Sequence, residues 1–293
     1  MPKKKKIHRK INTDKKDDLS SSIGNDDGAS NSELSPLEVD TNADELVQNI
    51  ANLTVSDLNT RILRRYILCL DIEATFDGDK SFSQETHEVI ELPCILIDIK
   101  ERAIIDEFHT FVKPTLKSQL TEKCVALTGI HQEDVDHAPT FAEAIHLLDG
   151  FMKKHSDKLY PPPQVGTPPP NGWSRLGPRN YAWVTDGHAD IERFLCLRSC
   201  RINRVRLPAY MAGQYIDMKL LFKTHFRERS FRRIPEMLAK WGLKFEGREH
   251  SGLQDARQVA RIMLLMVQNE GVELNCNRSI VMGQNLSFTA RRL

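Results

Sequence analysis

The chain has 293 residues, 40% of them hydrophobic and 28% charged, with a net charge of +1. That is enough apolar residue for one sizeable core, and the near-neutral balance singles out no polyanion or acidic partner. No apolar run approaches the ~18 residues of a membrane helix. The basic N-terminus has no apolar h-region, so a secretory signal and a membrane partner are not expected.

The first 60 residues read as a low-complexity tail. It opens on the basic block PKKKKIHRK, then carries nine acidic residues and no Lys or Arg between Asp17 and Ile50. Such a composition buries too little apolar surface to offset the entropy of ordering. The basic block reads as a nuclear-import signal or a polyanion-binding arm, placing the protein in nucleus and cytoplasm. Residues 42–65 carry helical spacing at Leu46, Ile50, Leu53, Leu58 and Ile62.

From Tyr66 the chain is dense. YILCLDIEAT (66–75), EVIELPCILIDI (88–99) and AIIDEFHTFVKP (103–114) read as three strands of an antiparallel meander, joined by short links. Phe141, Ala144, Ile145, Leu148 and Phe151 mark a helix. PPPQVGTPPP (161–170) is the centre of a proline-rich insertion over 157–179. NYAWVTDG (180–187) returns to a strand, and 189–199 to a helix. A strand near 209–217 follows, then helices near 217–226, 235–241 and 253–268. Residues 276–293 lose periodicity and are expected to form a flexible tail. Three meander strands followed by alternating helices and strands make an α/β fold, a ribonuclease-H-like mixed sheet flanked by helices. Six scattered cysteines fit small buried hydrophobes in a reducing compartment better than a zinc site.

Four carboxylates stand in apolar settings. Asp71 and Glu73 are two apart at a strand end, so both leave the same face and repel. A divalent cation with oxygen ligands resolves both the repulsion and the desolvation. Asp255 lies four before Val259 and heads the inward face of the last helix. His250 sits in the preceding loop, EGREHSGLQD, a candidate base. In TDGHAD (185–190), Asp186 and Asp190 compete: one ends a strand, the other opens a helix. Glu91, an acid within a strand, reads as bonding backbone or a neighbour. An acid quartet with one imidazole is the equipment of two-metal phosphodiester hydrolysis.

In this order, LDIEAT, HEVIELP (87–93), LTGI (127–130), TDGHAD and HSGLQDA resemble the DEDDh 3′–5′ exonucleases, and more closely their Eri/3′-hExo branch, over about 66–276. The resemblance implies a metal-dependent 3′–5′ exoribonuclease releasing nucleoside 5′-monophosphates. It implies Asp71, Glu73, Asp190 and Asp255 as ligands of two Mg²⁺ or Mn²⁺ ions, and His250 as general base with Glu73 in the catalytic set. Ala74, Thr75 and Leu127 would line the terminal nucleotide. Ala189 and Lys123 stand where the branch carries base-stacking aromatics, which implies weaker binding of the terminal base or its contact with His188 or another side chain. Residues 52–63 resemble a remnant of the first SAP helix. The implied partners are RNA 3′ ends, single-stranded or as duplex overhangs, and ribonucleoproteins. The branch works in RNA interference, histone-mRNA and ribosomal RNA 3′-end processing. The rivals are a DNA exonuclease of the same chemistry and a non-catalytic RNA-binding scaffold. The basic stretch KTHFRERSFRR offers Arg227, Arg229, Arg232 and Arg233 as backbone contacts.

Overall fold

The computed structural model describes residues 64–78, 86–160, 179–283 and 286–293. The expected tail, its basic block, the 52–63 segment and the prolines of 161–170 lie outside the described residues.

Strand β1 (Tyr66–Leu70) is buried along its whole length. It runs antiparallel to β3 (Val89–Asp98), with Tyr66 opposite Asp98 and Cys69 opposite Ile95. The short β2 (Glu73–Ala74) continues along the same edge of β3, with Glu73 opposite Glu91. On the other edge of β3 lies β4 (Ala103–Phe111), which completes the meander. β5 (Tyr181–Thr185) then pairs parallel with β1, and β6 (Gly213–Asp217) parallel with β5. The sheet is thus mixed, as the order of strands and helices predicts.

The helices cover both faces. α1 (Glu122–Thr128) and α2 (Gln132–Asp136) follow the meander. α3 (Phe141–Lys154) starts at a reciprocal cap between Thr140 and Glu143 and is followed by the single turn α4 (Ser156–Leu159). Asp190–Cys200 winds as a wide π-helix. α5 (Met218–His225), α6 (Ile234–Ala239) and α7 (Gly252–Glu270) complete the set. Alternate residues of β1 enter separate cores. Tyr66, Leu68 and Leu70 pack with α3 and the π-helix, whereas Ile67 and Cys69 pack with Val259, Ile262 and Met263 of α7. All six cysteines are unpaired, and five are buried.

Two local expectations are corrected. The end of the chain is a hairpin: β7 (Arg278–Met282) pairs with β6, and β8 (Phe288–Arg292) with β7. It is held because Ile280 is buried and because Asn277 trades two hydrogen bonds with the backbone of Asp217, at 2.8 and 2.9 Å. The insertion begins later than 157, since Leu159 is buried and its carbonyl accepts the Asn180 N–H at 3.0 Å. Residues 122–128 and 132–136 are helical, though the spacing there gives no long apolar stripe.

Candidate active site

The alternation of β1 sets the direction of the first two acids. Asp71 and Glu73 continue the odd series of Ile67 and Cys69, on the face that α7 covers. Asp255 stands in the first turn of α7, buried. Asp190 opens the π-helix just beyond the C-terminal end of β5, also buried, and accepts from the Ile72 N–H between the first two acids. Three separate stretches of chain thus converge at one end of the central strands.

Glu91 fixes how α7 arrives. Its carboxylate accepts the N–H groups of Gly252 at 2.9 Å and Leu253 at 3.1 Å, two of the unpaired donors of the first turn. His109 Nε2 lies 2.9 Å from the same carboxylate. Gly252 has no room for a side chain: a Cβ there would stand 2.7 Å from the Asp71 carbonyl oxygen and 3.1 Å from Glu91 Oε2. The strand reading of Glu91 anticipated a backbone bond, but nothing in the local pattern names Gly252 as its partner.

The electrostatics show how crowded the acids are. Burial, then the charges of Asp190, Asp186, Asp255 and Glu73, hold the Asp71 carboxyl well above the usual carboxylate range. Burial, with Asp255, Glu91 and Asp190 nearby, pushes Glu73 up to about 9, although Arg248 opposes this. Asp190 is pushed up to about 8, by burial first and by Asp186 second. Asp255 rises to about 7 through burial, against the His250 backbone N–H that it accepts. Asp186, the competing acid, is engaged differently: its carboxylate pairs with Lys219 at the start of α5. Lys219 in turn feels Asp71 and Asp190.

The remaining candidates fall into two groups. Around the acids, Ala74 and Thr75 are buried, and Thr75 Oγ1 accepts the Glu88 N–H at 3.0 Å. Leu127 is exposed at the end of α1, where Gly129 turns the chain with φ +74°. Arg248 donates to the Ala126 carbonyl at 2.9 Å, so it ties this turn to the loop of His250. Sequence reasoning missed Arg248; its only signal is a lone cation inside EGREHSG. His250 is exposed and left-handed, with φ 62°. His188 Nδ1 lies 3.9 Å from Asp217. Farther away, Arg232 is spent on Glu228 at 2.6 Å and Arg233 on Glu236 at 3.6 Å. Arg227 and Arg229 are exposed.

Among the described residues, no three His, Cys, Asp or Glu side chains close on one point as a ready-made metal cage. The donor set nonetheless fits a hard divalent cation. It offers carboxylate oxygens alone, crowded enough to repel, and such ions complete their shells with water and substrate phosphate.

Comparison with known proteins agrees with this chemistry. The RNase_T family, described as "Exonuclease", matches residues 68–158. The chain is 40% identical over 216 residues to "3'-5' exonuclease eri1" of Schizosaccharomyces pombe, covering 73% of this chain and 71% of that protein. It is 33% identical over 226 residues to "3'-5' exoribonuclease 1" of Mus musculus, covering 77% of this chain and 59% of the mouse protein. A solved 3'-exonuclease described in its recognition of histone mRNA stem-loop superposes with a TM-score of 0.64 at 28% identity, over 78% of this chain and 91% of that one. The nuclease domain of 3'hExo, a DEDDh family member bound to rAMP, gives 0.62 at 30% identity, over 74% and 98%.

Proposed function

The chain belongs to the DEDDh family of 3′–5′ exonucleases, in its ERI1/3′hExo branch, and from that premise we propose that it removes nucleotides from RNA 3′ ends, releasing nucleoside 5′-monophosphates. The observation that carries this reading is the shared charge of Asp71, Glu73, Asp190 and Asp255, each raised in pKa by burial and by neighbouring acids.

These four carboxylates would hold two Mg²⁺ or Mn²⁺ ions, which when bound supply charge neutralisation at the scissile phosphate and the leaving 3′ oxygen. The chain's own side chains do the rest. His250, on its exposed loop, takes the proton from the attacking water, because imidazole gains and loses a proton near neutral pH. The His250 backbone N–H on Asp255 keeps that loop beside the acids. Leu127 presents an exposed apolar surface to the terminal base, and the buried backbone of Ala74 and Thr75 forms the floor beneath it. Lys219 offsets the surplus negative charge through Asp186. With Ala189 and Lys123 in place of aromatics, base stacking, worth about 1–3 kcal/mol per base, contributes less here. RNA 3′ ends in single strands and in overhangs are the proposed substrates, since a relative recognises a histone mRNA stem-loop.

The test is degradation of 5′-labelled and 3′-labelled RNA, with matching DNA, in Mg²⁺, Mn²⁺ and EDTA. A ladder shortening from the 3′ end, with the 3′ label released as mononucleotide and EDTA stopping the reaction, is expected. Equal activity of the wild type and an Asp71→Ala, Glu73→Ala double variant would overturn the catalytic reading in favour of a scaffold.

A further inference from the structure

A second feature lies along α5, away from the acids. α5, the loop that follows it and the end of β8 enclose a cleft of about 280 Å³, lined by Lys223, Thr224, Arg227, Glu228, Phe231 and Arg292 among others. This is close to the ~300 Å³ lower bound of small-ligand pockets, room for a single base with its phosphate. Its charge is one-sided. The acid on its wall, Glu228, is already bonded to Arg232 at 2.6 Å. Among the described residues, no carboxylate forms an ion pair with Lys223, Arg227 or Arg292.

The cleft also carries an aromatic surface. Phe231 is 53% exposed, an unusual place for a large apolar ring. The Lys223 ammonium stands 4.7 Å from its ring centre. Arg227 follows the end of α5 in the left-handed region, φ 54°, where a side chain is strained and glycine is favoured. That turn is closed by the Glu228 N–H on the Lys223 carbonyl at 2.9 Å, and it carries Arg227 into the cleft wall.

The cleft is connected to the acids by the helix itself. Lys219, which pairs with Asp186 beside the acid quartet, is one turn before Lys223 on the same stripe of α5. At ~1.5 Å per residue, Lys223 lies about 6 Å farther along α5 than Lys219, and Arg227 follows in the turn just past the helix end. A line of cations therefore runs from the acids to the cleft, and a polyanionic strand whose end lies at the acids can follow it. Cations for phosphates combined with an exposed ring for a base are the means by which single strands are held without sequence preference.

We propose that this cleft anchors the RNA strand a few nucleotides upstream of its 3′ end, with phosphate on Lys223, Arg227 and Arg292 and a base against Phe231. It rests on the exonuclease reading for the direction of the strand. Arg292 makes the C-terminal hairpin part of the substrate path, and it narrows the four arginines of the basic loop to Arg227 as a contact.

The test is fluorescence anisotropy in EDTA with a trinucleotide and a 12-nucleotide single-stranded RNA, for the wild type, Phe231→Ala, Arg292→Ala and the double variant. All these side chains are exposed, and circular dichroism verifies the fold. The double variant is expected to bind the 12-mer about tenfold more weakly, as loss of one stacked base implies. Its salt dependence falls, because fewer phosphates are neutralised. Trinucleotide affinity, and turnover of the trinucleotide in Mg²⁺, stay at the wild-type level. Unchanged 12-mer binding, or equal loss on both lengths, would overturn the cleft as an upstream anchor. So would competition by a poly-glutamate peptide as strong as by RNA. A wild type that binds the 12-mer through the cleft but hydrolyses no RNA would overturn the exonuclease reading and leave the anchor standing.

Discussion

The carboxylate of Glu91 receives the backbone N–H of Gly252 at 2.9 Å, so an acid in the sheet caps the helix that carries Asp255. Glu91 is buried and also meets Leu253 N–H and His109. Glu91→Ala leaves those donors buried without a partner, so it should destabilise the metal-free protein by about 2–3 kcal/mol. Glu91→Gln, which keeps an acceptor, should cost about half as much. Urea denaturation in EDTA separates this effect from metal binding. Equal stability of the wild type and Glu91→Ala would dismiss the cap.

Gly252 is a second consequence of the same junction. Its Cβ would press on the Asp71 carbonyl at 2.7 Å, a backbone atom that cannot rotate away. Gly252→Ala should therefore separate α7 from β1 at a cost of about 1–3 kcal/mol. Because the displaced atoms belong to Asp71 and Glu91, activity should fall more than stability does. Parallel thermal melts and rates of mononucleotide release measure both.

Asp186 and Asp190 are four residues apart and separable by substitution. Asp186 pairs with Lys219, whereas Asp190 opens the π-helix and accepts from Ile72 between the first two acids. Asp190→Asn should lower kcat by about 10²-fold or more, the scale of losing one electrostatic group at a reacting centre. Asp186→Asn should lower it by about tenfold or less. The reverse ranking would make Asp186 the third acid.

The acids also set a pH dependence of stability. Folded Glu73, Asp190 and Asp255 titrate near 9, 8 and 7, above the ~4 of an unfolded carboxylate. Between those values the folded state binds more protons than the unfolded one, so the stability of the metal-free protein falls as pH rises. The Tm in EDTA should decline from about pH 5 towards pH 9. Mg²⁺ binds the ionised folded site, so it should raise Tm more at pH 8 than at pH 5. A flat Tm profile in EDTA would show that the carboxylates ionise without strain.

Much of the candidate site's geometry was legible because each acid breaks a local pattern. Asp71 and Glu73 interrupt an apolar strand, and Asp255 stands on an apolar helical stripe, so period alone aims them. The Asp186–Asp190 choice is not a matter of period: it depends on where Lys219 lies, 33 residues later in the chain for Asp186. Arg248 and Glu91 act through backbone groups of distant segments, Ala126 and Gly252, which leave no mark on side-chain spacing. The C-terminal hairpin was misread for a similar reason. Its strands are short, with only Ile280 buried and Val281 facing outward, and part of its hold on the sheet is the Asn277–Asp217 exchange. α1 and α2 are short, and their caps at Thr121 and His131 define them more than their apolar content does.

β1 is paired along both edges, to β3 on one side and, from Tyr66 to Leu70, to β5 on the other. Amides held in such a ladder exchange with solvent only when the whole domain opens. Asp71 is the next residue, so its position persists for as long as the fold does. His250 is tied to Asp255 through its backbone N–H, but its ring is exposed, and exposed side chains change rotamer in picoseconds to nanoseconds. The two halves of the site therefore live on different clocks. The acids wait in place through each catalytic cycle, while the imidazole reaches and leaves its station many times within one.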